Sequence, residues 1–203
     1  MRRLPVLAER SIAEIKALQI EADQRYHRSM VTGDVRTTCK RKCHHCCHHP
    51  FLISVAEGVL LYRWLHEHGQ WTALRKRIEE TRDKVLGLSF DVWLLSDLPC
   101  PLLRDSECSA YEARPLRCRI TYSIGDPDLC RPNELGVATP ILPNADFIIG
   151  FSQRSQAALK RAGVKSGNLM PVAEALLLGE AIGTGKLEIS DSDSQHLKDL
   201  IHG

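Results

Sequence analysis

The 203-residue sequence lacks the marks of several large functional classes. No apolar stretch approaches the roughly 18 residues of a membrane span, so no membrane helix is expected. Arg2 and Arg3 followed by Leu4 to Ala8 look like the start of a signal peptide. Glu9 and Arg10 end that run short of the usual apolar region of roughly 7–15 residues, and a cytoplasmic protein is expected. Lys and Arg total 27 against 25 Asp and Glu, a net charge of +2. There is no global polycation, which disfavours nucleic acid as a partner. G-x-G-x-x-G, a P-loop lysine motif, H-E-x-x-H and G-x-S-x-G are all absent. There is no internal repeat, no low-complexity tract and no alternation of strand and helix patterns.

What is present is cysteine. A chain of this length can bury a core without covalent staples, so its eight cysteines are not needed merely for folding. Cys39, Cys43, Cys46 and Cys47 fall within nine residues. Two or three intervening residues let a turn aim two thiolates at one ion. In a reducing compartment such thiols stay free, and metal is favoured over disulfides. Cys100, Cys108, Cys118 and Cys130 lie in a second segment, within a stretch (97–143) that seven prolines interrupt. Such a stretch is not expected to build its own core, and a metal site would fix it.

The flanking sequence reads as helix. Ile12, Ile15, Leu18 and Ile20 form a stripe over residues 8–30. Ser54 and Glu57 make a capping-box pattern before a second helix, which Gly69 ends at C′. A third amphipathic helix is expected from Thr72 to Leu86, with Trp71, Leu74, Ile78 and Val85 on its apolar side. Short connections favour antiparallel neighbours, so the second and third helices would return the chain and lay the late cysteines beside the early ones. Arg119 to Ile124 is expected as a short strand. Helices are also expected around Phe147–Gly163, over Met170–Ile182 with Gly183 as its end, and over Asp191–Ile201. The fold class is mainly α: a helical single domain, 1–203, with an irregular Cys/Pro-rich metal-binding core at 39–130.

Neighbouring side chains point in different directions, so Cys46 and Cys47 are not expected to chelate one mononuclear ion. Either they serve two metals, or one supports the other. Thiolate ligation suits zinc or iron–sulfur, and oxygen-seeking magnesium or calcium is not expected.

The ordered set C-x3-C-x2-C-C, C-P-L-L and C-x2-Y-x2-R-P-x2-C-R resembles the YkgJ-type cysteine-cluster family, whose domain is described as chelating zinc or iron. A related motif occurs in flagellin lysine methylases, where an iron–sulfur cluster is implicated. The resemblance implies metal ligation by Cys39, Cys43, Cys46, Cys47, Cys100, Cys108 and Cys118, with Cys130 as a trailing cysteine. It places Tyr111, Arg114, Pro115 and Arg119 around them. Arginines beside a thiolate cluster would offset its negative charge. The alternative for Arg114 is a structural ion pair.

His44, His45, His48 and His49 crowd the first segment but are not positions of the family pattern. They are read as solvated loop residues, although histidine is a common zinc ligand. With Arg36, Lys40, Arg41 and Lys42 they form a basic patch that suits an anionic partner or offsets nearby thiolates.

Cys39-x3-Cys43-x2-Cys46 also has the spacing of radical S-adenosylmethionine enzymes. Those usually carry an aromatic residue before the third cysteine, where this chain has His45, and they need a strand–helix repeat that is missing here. The expected function is a metal-binding protein, with iron–sulfur favoured over zinc and a role in redox chemistry or metal handling. Its partner would be a protein or an electron-transfer partner. An iron–sulfur oxidoreductase-like activity is the enzymatic reading. The alternative is a structural zinc module that presents a partner-binding surface.

Overall fold

The computed structural model describes residues 6–32, 37, 39–124, 126–131, 149–150, 153–154, 156–157 and 169–186. The chain is mainly helical, with helices α1 (Val6–Thr32), α2 (Val55–Glu67), α3 (Trp71–Val85), α4 (Phe90–Leu95), α5 (Leu116–Ile120) and α6 (Val172–Gly183). Two small antiparallel ladders accompany them. Strand β1 (Leu52–Ser54) pairs with β4 (Leu169–Pro171), and β2 (Leu103–Arg104) pairs with β3 (Glu107–Cys108). No helix among the described residues is long and apolar enough to cross a membrane.

The expected caps form. Ser54 Oγ accepts the Glu57 N–H at 3.3 Å, and the Glu57 carboxylate accepts the Ser54 N–H at 2.9 Å. At the other end of α2, Gly69 takes φ +66°. Its N–H bonds to the His66 carbonyl at 3.1 Å, and the Gln70 N–H bonds to the Leu65 carbonyl at 2.8 Å. This pair of bonds is a Schellman motif, which needs a residue of left-handed conformation at C′. The same motif ends α6, where Gly185 takes φ +71° and the Lys186 N–H reaches the Ala181 carbonyl. Gly183, expected as the stop, is the last helical residue instead, and a Cβ there would collide with the Tyr62 ring.

Helix α2 packs chiefly against α6. Gly58 and Gly179 make this possible: a Cβ on Gly58 would overlap the Ala175 carbonyl, and one on Gly179 would overlap the Gly58 carbonyl. The backbones therefore touch. Ile53, Leu61, Leu65, Leu74, Ile78 and Leu176 fill the main core beside this crossing. Glu180 ties α3 to α6, accepting from the Trp71 indole at 2.9 Å and from Arg75 Nε at 3.0 Å. Helix α1 covers the other side of α2 with Ile12 and Ile15, which pack with Val55, Val59 and Ile182.

Several expectations are corrected. Ile20 is half exposed, because it lies five residues beyond Ile15 and about 140° away from it around the helix. Gln19 and Ala22 take the buried positions. The strand expected over Arg119–Ile124 is replaced by α5, which ends at Ile120, with Thr121 extended beyond it. Leu116 and Ile120 bury one face of that helix against Ala22 of α1. Met170 belongs to a strand rather than a helix, since it pairs with Ile53 and the helix starts at Val172. Helix α4 was not expected. Ser89 caps it by accepting the Val92 N–H at 3.3 Å. The proline-interrupted segment contributes to the core through Leu102 and Ala110. The helix expected around Phe147–Gly163 falls mostly outside the described residues, and that over Asp191–Ile201 wholly outside them.

Gly179→Ala is expected to lower stability by ~1–3 kcal/mol or more through overpacking at the α2–α6 crossing. The urea midpoint of the purified protein measures it. Gly87, where a Cβ meets open space but φ is +81°, gives the comparison in which backbone strain alone acts.

Candidate metal centre

The early cysteines sit on a run of tight turns. The Cys43 N–H bonds to the Lys40 carbonyl at 2.9 Å, with Lys42 in left-handed conformation at φ 72°. A single 3-10 turn over His45–His48 then carries Cys46 and Cys47. The late cysteines sit on two devices. Asp105 and Ser106 both have positive φ, 48° and 62°, the backbone of a type I′ hairpin turn. That turn folds β3 onto β2, and Cys108 thereby returns beside the Cys100 stretch. Cys118 lies about 200° from Leu116 around α5, opposite the face that packs on α1.

A backbone hydrogen bond joins the two segments: the Cys100 N–H donates to the Cys47 carbonyl at 2.7 Å. Around it Cys43, Cys46, Cys47, Cys100, Cys108 and Cys118 line a single cleft, whose other walls include Phe51, Trp93, Leu102 and Val172. The cleft encloses about 80 Å³, several times the roughly 10–15 Å³ occupied by one water-sized probe. Cys39 and Cys130 stand outside its lining. Cys39 Sγ accepts the Ser123 N–H at 3.2 Å, and Tyr26 donates to the Cys39 carbonyl at 3.4 Å. All eight thiols are free. Among the described residues, no three Cys, His, Asp or Glu side chains are arranged to hold a metal ion as they stand.

Electrostatics divides the thiols into two groups with one shared member. Cys43 is pushed up by burial and then by Cys39 and Cys46; Cys130 is pushed up by burial, with Cys39 and Cys46 adding to it. In the cleft, burial pushes the Cys100 thiol up to about 12, with Cys108 next in effect. Burial raises Cys118 well above the ordinary range, and Cys46, Cys100 and Cys108 raise it further. Cys108 is also raised by burial. Cys46 moves the other way. The Cys47 thiol donates its hydrogen bond to Cys46, which favours the Cys46 thiolate and keeps the proton on Cys47.

Arg114 is one of the cations of the cleft, with Lys42 also in its lining. Its guanidinium stacks 3.7 Å from the Tyr111 ring centroid, and its charge favours the thiolates of Cys46, Cys108 and Cys118. Arg41 also stands over the Tyr111 ring, 5.1 Å from its centroid. Arg119 has a different part. Its side chain is 7% exposed and donates to the Arg114 and Glu112 carbonyls, both at 2.6 Å, and to Asp23 of α1. It braces the loop that aims Arg114. Arg117 is exposed, 6.0 Å from the Phe51 ring. Within the expected basic patch, Arg41 pairs with Glu107 and Glu112, and Arg36 falls outside the described residues.

Sequence reasoning missed the second part played by Glu57. Its Oε2 caps α2, while its Oε1 accepts the Leu116 N–H at 2.7 Å, the first helical residue of α5. One buried carboxylate thus fixes the helix that carries Cys118. The capping box was legible; the free oxygen of its glutamate was the available signal that something else must fill it. Trp93 in the cleft wall was missed together with α4.

The order and placement of these cysteines match the model of the CxxCxxCC family, described as "Putative zinc- or iron-chelating domain", over residues 38–138. Residues 38–138 belong to the CxxCxxCC family. No curated protein and no solved structure matches the chain. Between its first two cysteines this CxxCxxCC segment holds three residues, one more than the family's label spells, and the left-handed Lys42 is among them. Sulfur donors of this number beside a guanidinium are soft ligands with their charge partly offset, a set that fits zinc or iron.

Two outcomes follow from this geometry. Glu57→Gln places an amide N–H2 against either the Leu116 or the Ser54 donor, and is expected to cost ~1–3 kcal/mol through an unsatisfied buried group. Chemical denaturation of the metal-free protein reads the loss. The pH dependence has a definite sign. Cys100 keeps its proton in the folded state up to about 12, while the ordinary value is 9.0. Between those values the unfolded chain binds fewer protons than the folded one, so stability falls as pH rises. The stabilisation is fully present below 9.0 and lost on passing about 12. A series of melts from neutral to alkaline pH, with the metal-free protein, checks it.

Proposed function

We propose that the protein holds a zinc or iron centre in this cleft, ligated by thiolates from both cysteine segments, and that the centre serves redox chemistry or metal handling. The observation that carries the reading is the convergence of six thiols from segments more than fifty residues apart around one cleft. The 2.7 Å backbone bond between Cys47 and Cys100 pins that convergence. Cys46, Cys47, Cys100, Cys108 and Cys118 are the proposed ligands nearest the cleft. Cys43 stands between these and a second group made with Cys39 and Cys130. Tyr111, Arg114 and Arg119 support the centre.

No three of the described Cys, His, Asp or Glu side chains are arranged to hold an ion as they stand, so closing the thiols on metal asks some of them to move. It also asks for loss of protons from buried thiols, so metal uptake competes with protons and strengthens as pH rises. Burial opposes thiolate formation where no cation is present. A bound metal reverses that balance, because a coordinating thiol is deprotonated outright.

Within this reading we favour iron–sulfur. The thiols outnumber the four that one structural zinc takes. They also ring a space of about 80 Å³ rather than one point. Bound there, an iron–sulfur cluster supplies one-electron chemistry. The Arg114 charge is a local group that would tune it.

A second reading is a zinc module that presents a surface to a partner. The observation in its favour is α4, which buries none of its residues and exposes Phe90, Val92 and Leu95 beside the cleft.

Anaerobic purification separates the two. Brown protein with broad visible absorption and acid-labile sulfide supports iron–sulfur, and colourless protein with stoichiometric zinc supports the module. In either case Cys43→Ser and Cys118→Ser should each lower bound metal and the melting temperature, because metal binding here is also folding free energy. Full metal content in both variants overturns the proposed ligands.

A further inference from the structure

The four histidines beside the cysteines do not share one environment. His48 Nδ1 bonds to Asp97 at 2.9 Å. His49 Nε2 donates to the Cys130 carbonyl at 3.1 Å. The His45 ring stands near Arg131 and Asp128, on the side of the 3-10 turn at Pro127–Cys130. His44 differs from all three. It lines the cleft, as His49 also does, but its Nδ1 is buried without a hydrogen-bond partner.

Buried ring nitrogens are nearly always satisfied, and one that is not asks for an explanation such as an ion that belongs there. The ring is not loosely placed. It packs against His45 at 5.0 Å and His48 at 5.7 Å between centroids, and its own carbonyl accepts the Cys47 N–H at 2.8 Å. Its backbone is thus part of the turn that presents Cys46 and Cys47. An imidazole with one ring nitrogen bare, on a residue that lines a thiol-bearing cleft, is a ready metal ligand.

We infer that His44 Nδ1 is a nitrogen donor to the metal centre, which makes the coordination mixed sulfur and imidazole rather than sulfur alone. This rests on the thiolate reading above and adds a residue that lies outside the family's cysteine pattern. It has a consequence of opposite sign in the two states of the protein. Without metal, the unpartnered nitrogen is a liability, so removing it leaves stability unchanged or raises it. With metal, the nitrogen is bound, and removing it weakens the complex.

The test uses protein purified anaerobically with its own metal. X-ray absorption at that metal's edge should record imidazole scattering together with sulfur in the wild type. His44→Ala should lose the imidazole contribution and bind metal at least tenfold more weakly, while His48→Ala keeps both. Thermal melts give the second reading. His44→Ala should melt no lower than wild type when metal-free, and clearly lower when metal-loaded. Sulfur-only coordination in a fully loaded wild type overturns the histidine and leaves the thiolates standing. Imidazole scattering that persists in His44→Ala assigns another histidine and overturns it as well. Wild-type protein that retains no zinc or iron removes the thiolate reading, and this one with it.

Discussion

The Glu57 carboxylate is the interaction on which both the fold and the candidate centre depend. One oxygen closes the capping box of α2, and the other accepts the first N–H of α5. A buried carboxylate is costly unless its lone pairs are met by donors, and here three donors from two helix starts meet them. Placing a negative group between two helix N-termini also suits both macrodipoles. The result is a fixed relation between the α2 scaffold and the helix that carries Cys118. From that relation follow the position of Arg119, its bond to the Arg114 carbonyl, and the stacking of Arg114 on Tyr111 beside the thiols.

The cleft combines two opposed demands. Thiols packed away from water resist ionising, as the upward shifts of Cys100, Cys108 and Cys118 express. A metal-binding set must nevertheless give up protons. Two local devices lower the barrier. The Cys47 thiol donates to Cys46, which makes Cys46 the readier of the adjacent pair to give up its proton. Arg114 places a guanidinium whose charge favours the thiolates of Cys46, Cys108 and Cys118. The adjacent pair is therefore asymmetric in its hold on the proton.

What was legible in the sequence was what local rules decide. The Ser54–Glu57 box and the Gly69 stop depend on contacts within a few residues, and both stand as expected. The cysteine spacing pointed to convergence because turns of that length present thiols together. Long-range terms decided the rest. Arg119 to Ile124 contains β-favouring residues, yet Glu57 and Ala22, both distant in sequence, turn its first part into α5. Met170 carries helix-forming neighbours, yet pairing with Ile53 holds it in a strand. Nothing in the sequence distinguishes His44 from the three histidines near it. Its unpartnered nitrogen exists only once the cleft has formed.

The contact between Gly58 and Gly179 joins a residue inside the family segment to one well beyond its end at residue 138. Helix α6 and strand β4 cover α2 and β1 from outside residues 38–138. A fragment trimmed to the family's boundaries would leave Leu61 and Leu65 facing water and β1 without its hydrogen-bonded neighbour. The cysteine segment is thus a motif carried by a larger scaffold, and excising it would strip away the buttress against which its first strand and long helix are set.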